Sequence, residues 1–428
     1  MGAEILYFSL MIGYLFLGRR NSRFISIVKN PLYFSWMLMS MSIFGYQPTT
    51  VQYIFRASAM IISLITCAYM RKEFKIINRG PITILILYLL LCFGSVFWSV
   101  DKIQTLIKVM EIAVDMLLIS TILQTEEKET ALYKLFYVLL GMCILLQIYV
   151  ALGAVVMHSK FLTFSRGVWG IKLTGVIVSA DSLGGICVFV LAALMNMKDI
   201  KYRKIFMSIA IVELLLCQAR TSLISFSLIA LFVFFRTKNK FLYISAGLIV
   251  GLLTFKYRDY VYKYFLRGSD ALNMKTMSGR TVMWNNAKSM IAQKPWFGYG
   301  FGSGGEIISL QNNGMTSLHS GIYETLIGVG YIGFSLLVII YLFMLAILIR
   351  NIILHGLKNN VLEIMLFSDL TIRSYMSTGI GGWHSHVLMI WLLLVFSYSI
   401  KNINTYTTIV SDGSRQLKKK RVISIMDS

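Results

Sequence analysis

The chain has 428 residues, of which 57% are hydrophobic and only 14% charged, with a formal net charge of +22. A soluble domain carries about a quarter charged residues, so this composition excludes a soluble cytosolic enzyme, a disordered chain and a collagen-like fibre. It fits a polytopic membrane protein, and it leaves an excess of 41 Lys and Arg over 19 Asp and Glu to be explained.

A transmembrane helix needs about 20 mostly apolar residues. In chain order the candidate spans are 3–18, 31–46, 51–70, 81–100, 103–123, 131–157, 183–197, 204–219, 222–236 and 241–255. A long polar segment follows, from about 256 to 318, and then three more spans at 321–349, 361–377 and 386–400. The opening MGAEILYFSLMIG has neither a basic n-region nor a small-residue cleavage signature, and it reads as the first span. Cys67, Cys92, Cys143, Cys187 and Cys217 each lie in or beside an apolar run, and no two form a CxxC pair. Such cysteines behave as small buried apolar groups and not as a disulfide or metal framework. The expected fold is all-α, with about 12–13 transmembrane helices and one long extracytoplasmic loop. Four regions follow: N-terminal transmembrane helices over 1–255, the loop with an amphipathic helix over 256–320, C-terminal transmembrane helices over 321–400, and a basic cytoplasmic tail over 401–428.

The basic residues sort by side. Short connections after the odd-numbered spans, with the tail, hold about 25 of the 41 Lys and Arg, and the other short connections hold about six. Short basic loops resist translocation, so GRRNSR, MRKEFK, MKDIKYRK, FRTKNK and LKKKR belong inside. The long segment 256–318 and the turn holding Arg220 then fall together on the outside. The excess charge is an orientation signal, with no nucleic-acid partner implied.

The outer face holds the candidates for chemistry. CQARTSL, residues 217–223, places Arg220 in a tight turn between two apolar spans, where an ionisable residue is costly unless it faces a cavity or a partner. In SGRTVMWNNAKSMIA, residues 278–292, Met283, Ala287, Met290 and Ile291 form an amphipathic helical stripe. Ser278 is the candidate N-cap. Arg280 then sits in the first turn, where a cation opposes the helix dipole, so helix stability does not explain it. A guanidinium beside free first-turn amides makes an anion site; the alternative is an Arg reaching lipid headgroups. In KPWFGYGFGSGGEI, residues 294–307, the glycines permit tight turns and close backbone approach. Pro295-Trp296-Phe297 suits the membrane interface. A nucleotide-binding glycine loop is disfavoured, because no strand precedes the run. His319 stands just before a long span, placed either as a general base or as a hydrogen-bonded headgroup-level histidine. Glu324, a little over a turn later, either orients His319 or caps the helix.

These pieces, in this order, resemble the O-antigen ligase and polysaccharide (O-antigen, capsule) polymerase superfamily of integral membrane glycosyltransferases. The resemblance rests on Ala219-Arg220-Thr221-Ser222, on Ser278-Gly279-Arg280 with Trp284, on Pro295-Trp296-Phe297-Gly298-Tyr299-Gly300-Phe301-Gly302, and on His319 followed by Gly328-Val329-Gly330-Tyr331-Ile332-Gly333. The close motifs cover roughly residues 215–335. One departure is that members usually follow the His with Asn, whereas Ser320 follows His319 here.

The resemblance implies a GT-C-like membrane enzyme that takes a glycan from an undecaprenyl-pyrophosphate carrier and transfers it to an acceptor hydroxyl, with no cofactor and no metal. It implies that Arg220 and Arg280 bind the pyrophosphate and stabilise its charge as leaving group, and that His319 orients or deprotonates the acceptor. Ser320, Glu324 and Trp284 are the supporting candidates. Displacement at the anomeric carbon would invert it. The reading preferred is an oligosaccharide repeat-unit polymerase in the bacterial inner membrane with its active site facing the periplasm. The alternative is an O-antigen ligase delivering the chain to lipid A-core. A lipid-linked oligosaccharide flippase or transporter ranks below both, since neither internal symmetry nor a charge-lined central cavity is legible. Implied partners are the lipid-linked oligosaccharide, membrane lipid, a chain-length regulator and a flippase.

Other charges carry less. Lys108, Glu111 and Asp115 share one face of a span and are expected to pair with one another, the alternative being a polar path. Arg56 and Glu213 are isolated within spans and expected to find partners on other helices. Lys263, Arg267 and Lys275 make the long loop positive, and Arg166, Lys172 and Asp181 populate the second outer connection, a candidate acceptor channel. His384 and His386 point apart at i, i+2 and lack the further ligands that a metal needs.

Overall fold

The computed structural model describes residues 23–42, 50–70, 80–164, 171–197, 200–236, 254–266, 280–304, 318–377 and 385–400, together with residues 245, 248, 252 and 307. Within them the chain is overwhelmingly helical, as lipid requires, because a helix satisfies its own backbone polar groups where water is absent. The expected first span, most of span 241–255 and the basic tail lie outside the described residues, as do Arg166, Arg267, Lys275, Ser278, Gly279 and His384.

The first group of helices is α1 (Arg23–Val28), α2 (Pro31–Ser42), α3 (Thr50–Met70), α4 (Pro81–Gly94), α5 (Lys102–Thr125) and α6 (Lys128–Val156). The second is α7 (Ala180–Asn196), α8 (Arg203–Cys217) and α9 (Arg220–Arg236). Then come α10 (Arg258–Leu266), α11 (Arg280–Gln293), α12 (Gly321–His355), α13 (Val361–Met376) and α14 (His386–Ile400). The helices from Gln52 to Met70, α6 and α12 are long and apolar enough to cross a membrane, and α4, α7, α9 and α14 are shorter apolar helices. This is an all-α polytopic membrane protein. A two-stranded hairpin, β1 (Leu162–Phe164) antiparallel to β2 (Ile171–Leu173), interrupts the helices between α6 and α7. The all-α expectation includes no such hairpin.

Local signals set several boundaries. Pro81 opens α4 after Gly80, Asp101 caps α5 by accepting from Gln104 N at 2.9 Å, and Ser179 caps α7 by accepting from Ser182 N at 3.2 Å. α7 is almost wholly buried at the centre, against α6, α8, α9 and α13. Packing α7 on α9 requires Gly184, because a Cβ there would lie 2.7 Å from both Ala219 Cβ and Ser222 Oγ.

Two features turn out differently from the sequence reading of the buried charges. Glu111 on α5 does not pair within its own helix but with Arg56 of α3, at 3.7 Å. Lys108 donates its ammonium to the carbonyl of Gly302, far away in sequence. The i, i+3 spacing placed these side chains on one face correctly, but the neighbouring elements compete better for them. Glu213 of α8 meets the Cys187 thiol of α7 at 3.7 Å, as expected of a partner on another helix.

Candidate functional site

The glycine run is the frame of the site. α12 is broken at Gly330, whose φ of 65° and ψ of −167° are not helical. The run 295–302 fills that break with backbone. Tyr299 N and Gly300 N donate to Ile327 O and Gly328 O, each at 2.8 Å, while Tyr331 N donates back to Pro295 O at 2.7 Å. Gly298, Gly300 and Gly302 all have positive φ. On its other side the run is held by the α4–α5 junction: Val100 N to Tyr299 O at 3.1 Å, Phe301 N to Ser95 Oγ at 3.0 Å, Thr105 Oγ1 to Phe301 O at 2.8 Å, and Lys108 to Gly302 O. The close backbone approach expected of these glycines is therefore made to another part of the same chain. Trp296 and Phe297 stay exposed, as interfacial aromatics do.

The break leaves the stretch 331–355 as a helix of about 37 Å, enough to cross the apolar layer, and turns 321–330 toward the site. α11 packs on that first part. Met283, Ala287, Met290 and Ile291, the predicted stripe, are all buried against Ile307, Leu318 and Ile327. Trp284 Nε1 donates to Leu318 O at 3.1 Å, and its ring stacks on Tyr323 (centroids 5.5 Å, 28°) and packs on Tyr375 (5.8 Å). Trp284 thus anchors the residue before His319.

The arginines open helices. Arg280 is the first residue of α11 and Arg220 the first of α9. Arg280 Nη1 donates to the carbonyl of Met376, the last residue of α13, at 2.7 Å. Thr221 Oγ1, next to Arg220, donates to the same carbonyl at 3.4 Å. The two arginine motifs, 60 residues apart by their numbers, therefore share one acceptor. The start of α12 joins them, with Gly321 N donating to Ser377 O at 3.0 Å. The α8–α9 turn is fixed from outside: Gln218, left-handed at φ 52°, donates through Nε2 to Ile171 O of β2 at 2.9 Å, and Tyr264 of α10 donates to Leu215 O at 2.8 Å.

His319 is half-buried and left-handed, at φ 48°. Burial holds its pKa below the ordinary histidine value, the positive charges of Arg280 and Lys172 push the same way, and the Asp181 carboxylate opposes them. The imidazole is consequently neutral near pH 7 and able to accept a proton. Lys172 of β2 and Asp181 in the first turn of α7 therefore lie near enough to His319 for their charges to act on it. Ser320 is the N-cap residue of α12. Its hydroxyl is buried and makes no hydrogen bond among the described residues. Glu324 is buried in the first turn of α12.

Sequence reasoning missed the end of α13. Met376, Ser377, Tyr375 and Arg373 contact the motif residues or their helices, and Asp369 holds Arg373 within α13. The available signal was Asp369 and Arg373 at i, i+4 inside an apolar span.

The starts of α7, α9, α11 and α12 and the end of α13 thus gather cations, a neutral histidine and a shared carbonyl at one end of a membrane-embedded helical bundle. This defines a polytopic membrane protein with a cluster of polar and basic residues at one end of the bundle. Residues 205–338, about a third of the chain, match the family described as O-antigen ligase. The match supports membership of the O-antigen ligase and polymerase superfamily, and with it a bacterial membrane enzyme of glycosyltransferase type. It runs from α8 into α12 and takes in Arg220, Arg280, the glycine run and His319. No curated protein matches the chain.

Proposed function

We propose that the chain is an oligosaccharide repeat-unit polymerase, transferring glycan from undecaprenyl-pyrophosphate to an acceptor sugar hydroxyl at the outer face of the cytoplasmic membrane. The observation that carries this reading is the shared acceptor: Arg280 and the Arg220 turn meet on the Met376 carbonyl, beside a histidine kept neutral.

In this reading the two guanidiniums hold the pyrophosphate, which suits a planar cation that stays charged at any working pH. The acceptor hydroxyl attacks the anomeric carbon and forms the new glycosidic C–O bond. The bond from that carbon to the pyrophosphate oxygen breaks, and the electron pair leaves with the lipid pyrophosphate. The hydroxyl proton passes to the His319 imidazole and then to water. Displacement from the opposite face inverts the anomeric centre. Arg220 and Arg280 neutralise the negative charge growing on the leaving oxygen, where a fixed donor is worth most. Trp284 keeps the His319 segment in register through its bond to Leu318 O. Basic connections on the opposite ends of the helices orient this mouth outward.

A second reading, transfer of the finished chain to a lipid A-core acceptor, is favoured by the family description that the segment matches. Purified protein in liposomes with a lipid-linked repeat unit tests the proposal. Growth of a ladder of polymers on the carrier lipid is the expected result. If the protein instead leaves single units unjoined and transfers preformed chains only when lipid A-core is supplied, the ligase reading replaces it.

A further inference from the structure

The end of α13 lies outside the segment matched to the family, yet Arg280, Thr221 and Gly321 all hydrogen-bond to it and Trp284 packs against it. One turn below Met376, Arg373 is buried to 2% exposure. Its Nε donates to both carboxylate oxygens of Asp369 at 3.0 Å, and its Nη2 donates to Ser222 Oγ at 3.0 Å. Ser222 is wholly buried, two residues after Arg220 in the first turn of α9. α7 makes room for the guanidinium with Gly185, where a Cβ would lie 2.6 Å from Arg373 Cζ and 2.9 Å from His386 Nε2.

A charge pair this deeply buried is an expensive way to join two helices, since apolar packing of equal volume does so without the desolvation cost. What the pair adds is direction. A guanidinium held through Nε by its own helix presents Nη2 at a fixed angle, and that angle fixes the rotation of the first turn of α9. The same helix end supplies the Met376 carbonyl to Arg280 and Thr221, and the Ser377 carbonyl to the start of α12.

We propose that Arg373 is a positioning residue: clamped by Asp369, it holds Ser222 and so sets Arg220 against Arg280 on the shared end of α13. The proposal rests on the polymerase reading only for its effect on turnover. The geometry it claims is independent of what is transferred.

The experiment uses the full chain in liposomes, as wild type, Arg373→Lys, Ser222→Ala and the double variant. Spin labels go at Ile224→Cys on α9 and Thr281→Cys on α11, both exposed positions, and the five native thiols are buried. Lysine keeps the charge opposite Asp369 but loses the forked donor, and Ser222→Ala cuts the same link from the other side while leaving the ion pair intact. Each single variant should broaden the label-to-label distance distribution, and the double should broaden it no further, because one link is broken in all three. Turnover of lipid-linked repeat units should fall on the order of tenfold or more in each, as expected of a misplaced binding group, again without addition in the double. An unchanged distance distribution in Ser222→Ala, or effects of the two substitutions that add, overturns the proposal. If the distances change as expected while the wild type joins no repeat units, the positioning claim stands and the polymerase reading falls.

Discussion

Replacing Gly330 with alanine tests the central piece of architecture, the backbone wedge that breaks α12. Gly330 sits at φ 65°, ψ −167°, a region that residues with a Cβ almost never occupy. Backbone strain there costs about 1–3 kcal/mol. An alanine Cβ would lie 2.3 Å from Trp296 O and 2.6 Å from Phe297 N, so the wedge must also move. Moving it weakens the bonds from Tyr331 N to Pro295 O (2.7 Å) and Ile332 N to Trp296 O (3.3 Å), worth about 1 kcal/mol each. The expected loss is therefore about 3–5 kcal/mol, a large share of the roughly 5–15 kcal/mol that holds a folded protein together. Two further substitutions separate the terms. Gly356 has φ 79° but nothing within 4 Å of a Cβ, so Gly356→Ala carries strain without a clash. Gly304 has no positive φ and its nearest contact is 3.7 Å, so Gly304→Ala should be close to neutral. Thermal unfolding of the three purified variants in one detergent should rank Gly330→Ala well below Gly356→Ala, and Gly356→Ala below Gly304→Ala. If Gly330→Ala unfolds together with Gly304→Ala, the 295–302 run does not lock the break.

Further outcomes follow from the site and the buried charges. In the proposed mechanism His319 must be neutral to accept a proton, so activity should fall as pH drops through its pKa. Lys172 lowers that pKa and Asp181 raises it. The acid limb of the pH–rate profile should therefore move up in Lys172→Gln and down in Asp181→Asn, and shifts of the same sign in both would contradict the electrostatics. Glu111→Gln strands the buried Arg56 charge and should cost about 3–5 kcal/mol in thermal unfolding, whereas Arg56→Met combined with Glu111→Leu should recover most of it. Trp284→Phe keeps a ring on Tyr323 but loses the bond to Leu318 O. It should cost about 1 kcal/mol of stability and slow turnover, with donor KM changed less than kcat.

Much of this protein is legible in its sequence because lipid is a demanding solvent. Spans 51–70, 131–157 and 183–197 coincide closely with α3, α6 and α7, since a long apolar run has no stable alternative to a helix there. The stripe of α11 was equally readable, down to its four buried residues and Arg280 at its start. What escaped is contact between distant segments. The glycine run announced close approach but not its partner, because Ile327, Gly328 and Gly330 carry no complementary signal in one sequence. Lys108 and Glu111 shared a face, but which neighbour each one chose depended on where Gly302 and Arg56 came to rest. The end of α13 was invisible for a simpler reason. Its main contribution is a backbone carbonyl, that of Met376, and no side chain advertises it.

The most direct test of the account is the fate of lipid-linked repeat units with Arg220→Gln and Arg280→Gln. Both substitutions keep a polar side chain and remove the charge. Each purified variant should melt near the wild type yet bind a lipid pyrophosphate analogue at least tenfold more weakly and make little or no polymer. Normal binding and normal polymer from both variants would contradict the proposal that Arg220 and Arg280 form the pyrophosphate site.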